Sequence, residues 1–169
     1  EYYNGEKLNF VTANELHIPT GQDVVLKLAA CDPSLGTTPE GNALCNVIHS
    51  FWVPELAGKT DVVPGRINEM KIKTDEVGTY LGQCAEYCGL SHANMRFRVI
   101  VHEPAEFEKW VKAQQAPPVE SPDALAQQGK TLFTQSTCVG CHTITGISAG
   151  HIGPDLTHFA SRKTFAGSL

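Results

Sequence analysis

The sequence has few methionines, fewer basic than acidic residues and no long apolar run, and these shortages exclude several classes of protein. No stretch approaches the roughly 20 apolar residues that a membrane-spanning helix needs, so the sequence predicts none. Its 13 basic residues stand against 18 acidic ones, a net charge of −5 that argues against nucleic-acid binding. The apolar fraction of 41% is too high for a disordered chain.

The acidic charge lies in the first part of the chain. Residues 1–103 hold 13 acidic and 8 basic side chains, whereas residues 104–169 hold 5 of each. A length of 169 residues allows one domain and a smaller second one. The chain starts with neither a methionine nor a signal peptide, so we expect a mature form or a fragment.

Residues 1–115 are predicted to form a β-sandwich. Apolar and polar side chains alternate at residues 23–29, 66–73 and 94–102. Turn signals such as Pro64-Gly65 separate these runs. Several short strands at this spacing favour an antiparallel sandwich.

The pattern becomes helical after residue 103. Pro104 suits the first turn of a helix, and Phe107, Trp110 and Val111 form an apolar stripe that we expect to pack on the sandwich. The proline-rich residues 116–122 are predicted to be a linker.

A second domain is predicted over residues 123–169. Ser121 is the expected cap of its first helix, with Pro122 at the first helical position. Residues 124–133 continue that helix.

Residues 84–95 carry the densest set of metal ligands, in the order Cys-Ala-Glu-Tyr-Cys-Gly-Leu-Ser-His-Ala-Asn-Met. Thiolate, imidazole and thioether together suit copper, but a mononuclear blue-copper site needs only one cysteine. Cys84 and Cys88 can face each other and bridge two ions, and each ion then needs its own imidazole. His92 supplies one imidazole, and His49 is the best candidate for the other.

Two other interpretations of this cluster remain open. Cys84, Cys88, His92 and His49 could form a tetrahedral zinc site, although zinc has no use for Met95. A disulfide between Cys84 and Cys88 is what an empty, oxidised site would show.

Residues 10 to about 111 closely resemble the periplasmic CuA domain of cytochrome c oxidase subunit II. The residues that carry the resemblance are Thr12 through Pro19, His49-Ser50-Phe51-Trp52, Lys59-Thr60-Asp61 with Pro64-Gly65-Arg66, and Cys84 through Met95.

This resemblance implies a cupredoxin-like Greek-key β-sandwich with a dinuclear copper centre, CuA. The implied ligands are the Cys84 and Cys88 thiolates as bridges, the His49 and His92 imidazoles, and the Met95 thioether and Glu86 backbone carbonyl as weak axial ligands. The Glu86 side chain is also implied to reach a magnesium ion at the border with subunit I.

Cys138-Val139-Gly140-Cys141-His142 is the signature of covalent haem c attachment. Its spacing lets both thiols reach the two vinyl groups of one haem, and the adjacent imidazole is the axial ligand of the haem iron. Half of a zinc ribbon is the alternative, but no second C-x-x-C pair is free.

The flanking residues 126–133 and 153–157 resemble a class I cytochrome c of mainly helical structure. Oxidases with a cytochrome c fused to subunit II are the caa-type, and the order of modules here is similar. The second module would be partial, since no methionine follows Met95 to complete the iron. A bis-histidine haem using His151 or His158 is the alternative, although both are interpreted as surface residues.

One pair of cysteines and one pair of histidines remain. Cys31 and Cys45 flank an apparent insertion and are predicted either to form a disulfide or to be free thiols. His17 and His102 are interpreted as structural or surface residues.

The resemblance implies an electron-transfer subunit of a haem-copper terminal oxidase. Electrons would pass from an external donor such as cytochrome c to the haem, to CuA and to subunit I, where oxygen is reduced. The chain has no catalytic residue of its own under this hypothesis. It would lie at the cell membrane on the extracytoplasmic side, beside subunit I and the other subunits, with an N-terminal membrane hairpin missing from the sequence.

Two other functions share parts of this pattern. A nitrous oxide reductase also uses a CuA cupredoxin, but it carries no haem signature. A copper-delivery chaperone also uses C-x-x-x-C, but its fold is thioredoxin-like and needs no Met95.

Overall fold

The computed structural model describes residues 1–30 and 47–166. The predicted disulfide between Cys31 and Cys45 lies outside these residues and stays a prediction. The chain divides into two compact units. Asn14–Lys109 with Thr164–Leu169 form the sandwich unit, and Glu1–Ala13 with Trp110–Lys163 form the helical unit.

The secondary structure follows the predicted change from β to α. The strands are β1 (Tyr2–Asn4), β2 (Lys7–Phe10), β3 (Glu15–Pro19), β4 (Val24–Ala29), β5 (His49–Trp52), β6 (Thr60–Val62), β7 (Ile67–Ile72), β8 (Gly78–Cys84), β9 (Arg96–His102), β10 (Thr143–Ile144) and β11 (Ser148–Ala149). The helices are α1 (Pro104–Gln115), α2 (Ala124–Gln135) and α3 (Cys138–Cys141). The prediction of a mainly β chain followed by helices is confirmed.

The sandwich unit consists of two sheets. Five strands in the order β3-β9-β8-β5-β6 form one sheet, and β4 pairs antiparallel with β7 in the other. β3 runs parallel to β9, whereas the other neighbours in the larger sheet are antiparallel. An antiparallel sandwich was therefore predicted correctly except at this pair, where two strands far apart in sequence meet side by side.

The apolar core lies between the two sheets. Its buried members are Ile18, Val53, Met70, Ile72, Val99 and Val101. In β7, Met70 and Ile72 face this core while Lys71 between them is exposed, as the alternation predicted. β4 packs the same way, with alternate residues against the core.

The helical unit begins with a hairpin that was not predicted from the sequence. β1 and β2 pair so that Asn4 lies opposite Lys7, which leaves a two-residue loop. Gly5 in that loop has a φ of +63°, a conformation that favours glycine. Trp110 of α1 meets two rings of the hairpin edge-on, those of Tyr2 at 5.2 Å and Phe10 at 5.4 Å.

The cap of α2 is Asp123 rather than the predicted Ser121. Asp123 Oδ1 accepts hydrogen bonds from the backbone N–H groups of Leu125 (2.9 Å) and Ala126 (3.1 Å). Ser121 Oγ instead accepts from the Asp123 backbone N–H. The helix starts two residues later than Ser121 requires, because an aspartate directly before its first residue satisfies the free amides.

Candidate copper centre and haem attachment site

Two of the predicted copper ligands lie on strands of the larger sheet. His49 is the first residue of β5 and Cys84 is the last residue of β8. Phe51 lies opposite Cys84, so His49 and Cys84 share a face at the same end of the sheet. The Cys84 sulfur is 3.8 Å from His49 Nδ1. Cys84 is buried and His49 is half-buried.

The other predicted ligands belong to residues 85–95, which we call the ligand loop. Cys88 Sγ lies 3.5 Å from His92 Nδ1 and 3.7 Å from Met95 Sδ. Gly89 adopts a φ of +118°, and a 3-10 turn over His92–Asn94 follows it. This turn directs the loop so that an imidazole and a thioether reach the same sulfur.

A backbone hydrogen bond closes the ligand loop. The Cys84 N–H donates to the Met95 carbonyl over 2.9 Å, and the Ala85 N–H donates to the Ser50 carbonyl over 2.9 Å. The first and last ligands of the segment are therefore held together, and the start of the loop is tied to β5.

The two sulfurs face each other as free thiols. Cys84 Sγ and Cys88 Sγ are 3.8 Å apart, and the Cys84 thiol donates to the Glu86 carbonyl over 3.2 Å. The Glu86 carbonyl thus lies beside a sulfur, where the resemblance places an axial ligand, while its side chain is exposed.

The donor atoms fit two metal ions better than one. Among the described residues, the group whose donor atoms all lie within 4.8 Å of one another comprises His49, Cys84 and Cys88, without His92. A tetrahedral zinc ion with bonds of 2.0–2.3 Å would hold all four donors within about 4 Å of one another. Each imidazole lies instead against a different sulfur, which favours a bridged pair of ions.

Burial raises the pKa of the Cys88 thiol above its ordinary value, and the hydrogen bond and charge of Cys84 raise it further. The thiolate is the form that binds a metal. Metal binding at Cys88 therefore releases a proton.

The haem signature forms a single helical turn. α3 runs from Cys138 to Cys141, and residues three apart in a helix lie on the same side. Cys138 is exposed and Cys141 is half-buried. Both thiols can therefore reach one edge of a porphyrin.

One nitrogen of the His142 ring makes a hydrogen bond, and the other can face the iron of a bound haem. His142 Nδ1 donates to the Pro154 carbonyl over 2.8 Å, so Nε2 carries the lone pair. A Cβ at Gly153 would lie 2.5 Å from His142 Cε1, so only glycine leaves room for the ring. The geometry fits a haem c whose axial ligand is His142.

The two histidines of the bis-histidine alternative differ in their surroundings. His158 Nε2 donates to the Gln114 carbonyl over 3.0 Å, so this nitrogen already has a hydrogen-bond partner. His151 is exposed. The surface interpretation fits His151, whereas His158 is half-buried.

His17, which is buried, and His102, which is half-buried, form a pair that the sequence did not reveal. They lie on β3 and β9, which are distant in sequence and adjacent in the sheet. His17 is only 7% exposed, so it is a structural residue and not a surface one. No local motif marks such a pair, since it depends on the parallel pairing of the two strands.

None of the helices in residues 1–30 and 47–166 has the length and apolar character required to cross a bilayer.

Two family models match separate parts of this chain. Residues 42–103 match the family "Cytochrome C oxidase subunit II, periplasmic domain". Residues 126–168 match the family "Cytochrome c". The first family implies CuA copper and an extracytoplasmic position, and the second implies haem c.

Similar proteins support both matches. Cytochrome c oxidase subunit 2 of Alkalihalophilus pseudofirmus is 38% identical over 99% of this chain, which spans 44% of that protein. Subunit 2 of Thermostichus vulcanus is 44% identical over 63% of this chain and 28% of that protein. The chain thus spans less than half the length of these curated relatives.

A crystal structure gives the same fold for the sandwich unit. The periplasmic domain of subunit II of cytochrome oxidase from Bradyrhizobium japonicum is 32% identical, with a TM-score of 0.50 over 60% of this chain and 64% of that one. The sandwich is therefore cupredoxin-like, as predicted. The chain joins a segment that matches the periplasmic domain of cytochrome c oxidase subunit II to a segment that matches cytochrome c.

Proposed function

We propose that this chain transfers electrons within subunit II of a caa-type haem-copper oxidase, from a haem c to a CuA centre and on to subunit I. The proposed modules are a CuA domain at 1–115, a linker at 116–122 and a cytochrome c domain at 123–169. Support comes from the order of the two family matches and from the geometry of each site.

The observation that carries the proposal is the placement of two imidazoles against two facing sulfurs. His49 lies beside Cys84, and His92 lies beside Cys88. The two sulfurs and the two imidazoles would together hold the copper of the proposed dinuclear centre. The Met95 thioether and the Glu86 carbonyl, one beside each sulfur, would be the weaker ligands.

Copper bound here supplies one-electron redox chemistry. The role of the chain is to hold the ligands in one geometry through both redox states. His49 and Cys84 are held by strand pairing, and the Cys84–Met95 backbone bond fixes the far end of the ligand loop. Ligands fixed in this way move little when the copper centre gains or loses an electron.

The haem module is proposed to receive the electron first. Cys138 and Cys141 hold the porphyrin, and His142 binds the iron through Nε2. The hydrogen bond from His142 Nδ1 to Pro154 orients the ring and increases its basicity. Oxygen reduction takes place on subunit I, so no side chain here is assigned a catalytic role.

The proposed partners follow from this place in the complex. They are subunit I, the other oxidase subunits and an external electron donor. The exposed Glu86 side chain is proposed to bind magnesium at the border with subunit I. A membrane hairpin N-terminal to this segment is proposed to anchor it on the extracytoplasmic side.

The copper assignment is tested by EPR of the copper-loaded chain. One electron shared over two coppers is expected to produce a seven-line hyperfine pattern. Cys88→Ser should abolish this pattern, while Ser91→Ala in the same loop should retain it. A four-line mononuclear signal from the unaltered chain contradicts the dicopper centre.

The haem assignment is tested by covalent attachment. Cys138→Ser with Cys141→Ser should eliminate haem that survives denaturing electrophoresis, and His151→Gln should leave it unchanged. Attachment that survives the double substitution contradicts the second module.

A further inference from the structure

Two phenylalanines lie on the same face of the larger sheet as the copper ligand Cys84. Phe51 is opposite Cys84 across β5 and β8, and Phe97 is opposite Gly82 across β8 and β9. Gly82 and Cys84 are two residues apart in β8, so they point to the same face. Partners in register share a face, so both phenylalanine rings lie on the face that carries the Cys84 sulfur.

The packing of the two rings depends on Gly82. The ring centres of Phe51 and Phe97 are 4.5 Å apart with 30° between their planes. A Cβ at residue 82 would lie 2.2 Å from Phe97 Cε2 and 2.3 Å from Cζ. Those atoms belong to a rigid ring, so any side chain at 82 would displace Phe97.

The two sides of the copper site differ in their exposure. Phe51 and Phe97 pack against the apolar core, and Cys84 beside them is 8% exposed. Met95 on the ligand loop is 45% exposed. The Cys84 side therefore borders the protein interior, and the Met95 side borders solvent.

We propose that the Phe51–Phe97 pair, packed over Gly82, forms the apolar inner wall of the copper centre and raises its redox potential by keeping water from the Cys84 sulfur. These are positioning residues, because they act on the environment of a ligand. The inference rests on the proposed function.

The direction of the effect follows from charge. With two thiolate ligands, the oxidised dicopper centre carries one more positive charge than the reduced one. An apolar surrounding disfavours the more highly charged state. The hydrophobic wall therefore favours the reduced state, and admitting water or a polar group lowers the potential.

The experiment is an EPR-monitored redox titration of the copper signal in the full chain. Phe97→Asn places a polar amide in the wall, and Phe97→Leu is its apolar match. Gly82→Ala displaces the Phe97 ring without adding a polar group. Gly58→Ala is the control, since a Cβ there would meet nothing within 4 Å.

We expect lower midpoint potentials for Phe97→Asn and Gly82→Ala, and near-wild-type values for Phe97→Leu and Gly58→Ala. Far-UV circular dichroism reports whether each variant is folded. If Phe97→Asn does not fold, Gly82→Ala provides the test. Folded variants of Phe97→Asn and Gly82→Ala with wild-type midpoint potentials overturn the inference. If the same chains still show the seven-line signal, the proposed function stands. A wild-type chain without that signal contradicts the proposed function instead.

Discussion

His17 Nδ1 and His102 Nε2 lie 2.7 Å apart, with 12° between the two ring planes. This contact joins β3 to the end of β9. A bond between two ring nitrogens needs one donor and one acceptor, so at least one of the rings is neutral. Glu15 Oε2 lies 3.6 Å from the other nitrogen of His17.

The histidine pair is expected to make stability depend on pH. Burial lowers the pKa of His102, and the nearby Glu106 carboxylate opposes that shift only in part. The unfolded chain then binds more protons than the folded one, so stability is complete above the ordinary histidine pKa of about 6.5. It is lost as the pH falls from there towards the lowered pKa of His102.

Thermal unfolding between pH 7.5 and 5.5 checks this expectation. The unaltered chain should lose stability over that interval, and His102→Gln should lose less. His151→Gln, at an exposed histidine, should follow the unaltered chain. The other charged groups near the pair are Glu106, Glu15 and Arg98, the register partner of Glu15. Equal losses in all three chains would contradict the assignment.

Gly153→Ala is expected to weaken the bond between His142 and the iron. The added Cβ would lie 2.5 Å from His142 Cε1 and 2.7 Å from Nδ1, so the ring must turn away from the Pro154 carbonyl. Loss of such an orienting bond costs about 10-fold or more in ligation. A visible titration with free imidazole should show displacement at lower concentration. Gly129→Ala, with open space around the Cβ, should leave the titration unchanged.

Asp123→Ala should destabilise α2 by about 0.5–2 kcal/mol. The carboxylate accepts hydrogen bonds from two amides of the first turn, and alanine leaves both without this partner. Hydrogen exchange of the Leu125 and Ala126 amides should accelerate. Asp123→Asn should retain most of the protection, and an effect of Ser121→Ala as large as that of Asp123→Ala would show that the cap was misassigned.

Ile72→Ala should cost about 2–5 kcal/mol of unfolding free energy. Ile72 is 1% exposed and packs in the core between the two sheets. Ile67 begins the same strand but is 67% exposed, so Ile67→Ala should change stability by about 0.5 kcal/mol or less. Urea unfolding followed by circular dichroism measures both, and similar midpoints for the two variants would contradict the described core.

Features that depend on local pattern were predictable from the sequence. The alternation of β7, the start of α1 at Pro104 and the cysteine spacing of the ligand loop are each visible within about a dozen residues. His49 was identified only because each of two bridged ions needs an imidazole. The structure places it 3.8 Å from Cys84, although its role as a ligand stays a proposal.

Features that depend on distant pairing were not predictable in the same way. The hydrogen bond between His17 and His102 joins residues 85 apart in sequence. The packing of Phe97 over Gly82 requires the register of β8 and β9, and neither residue is unusual in its own segment. Asp123 was missed for a different reason, because Ser121 and Pro122 supplied a stronger start signal two residues earlier.

The hydrogen bond between Cys84 and Met95 brings the two ends of the ligand loop together. Because the Cys84 N–H and the Met95 carbonyl are joined, the intervening chain leaves and re-enters the sheet at one point. A change in length or composition between those two residues alters the metal pocket without shifting the register of β8 and β9. The ligands carried by this loop can therefore change while the sheet pairing stays the same, whereas His49 and Cys84 belong to the strands themselves.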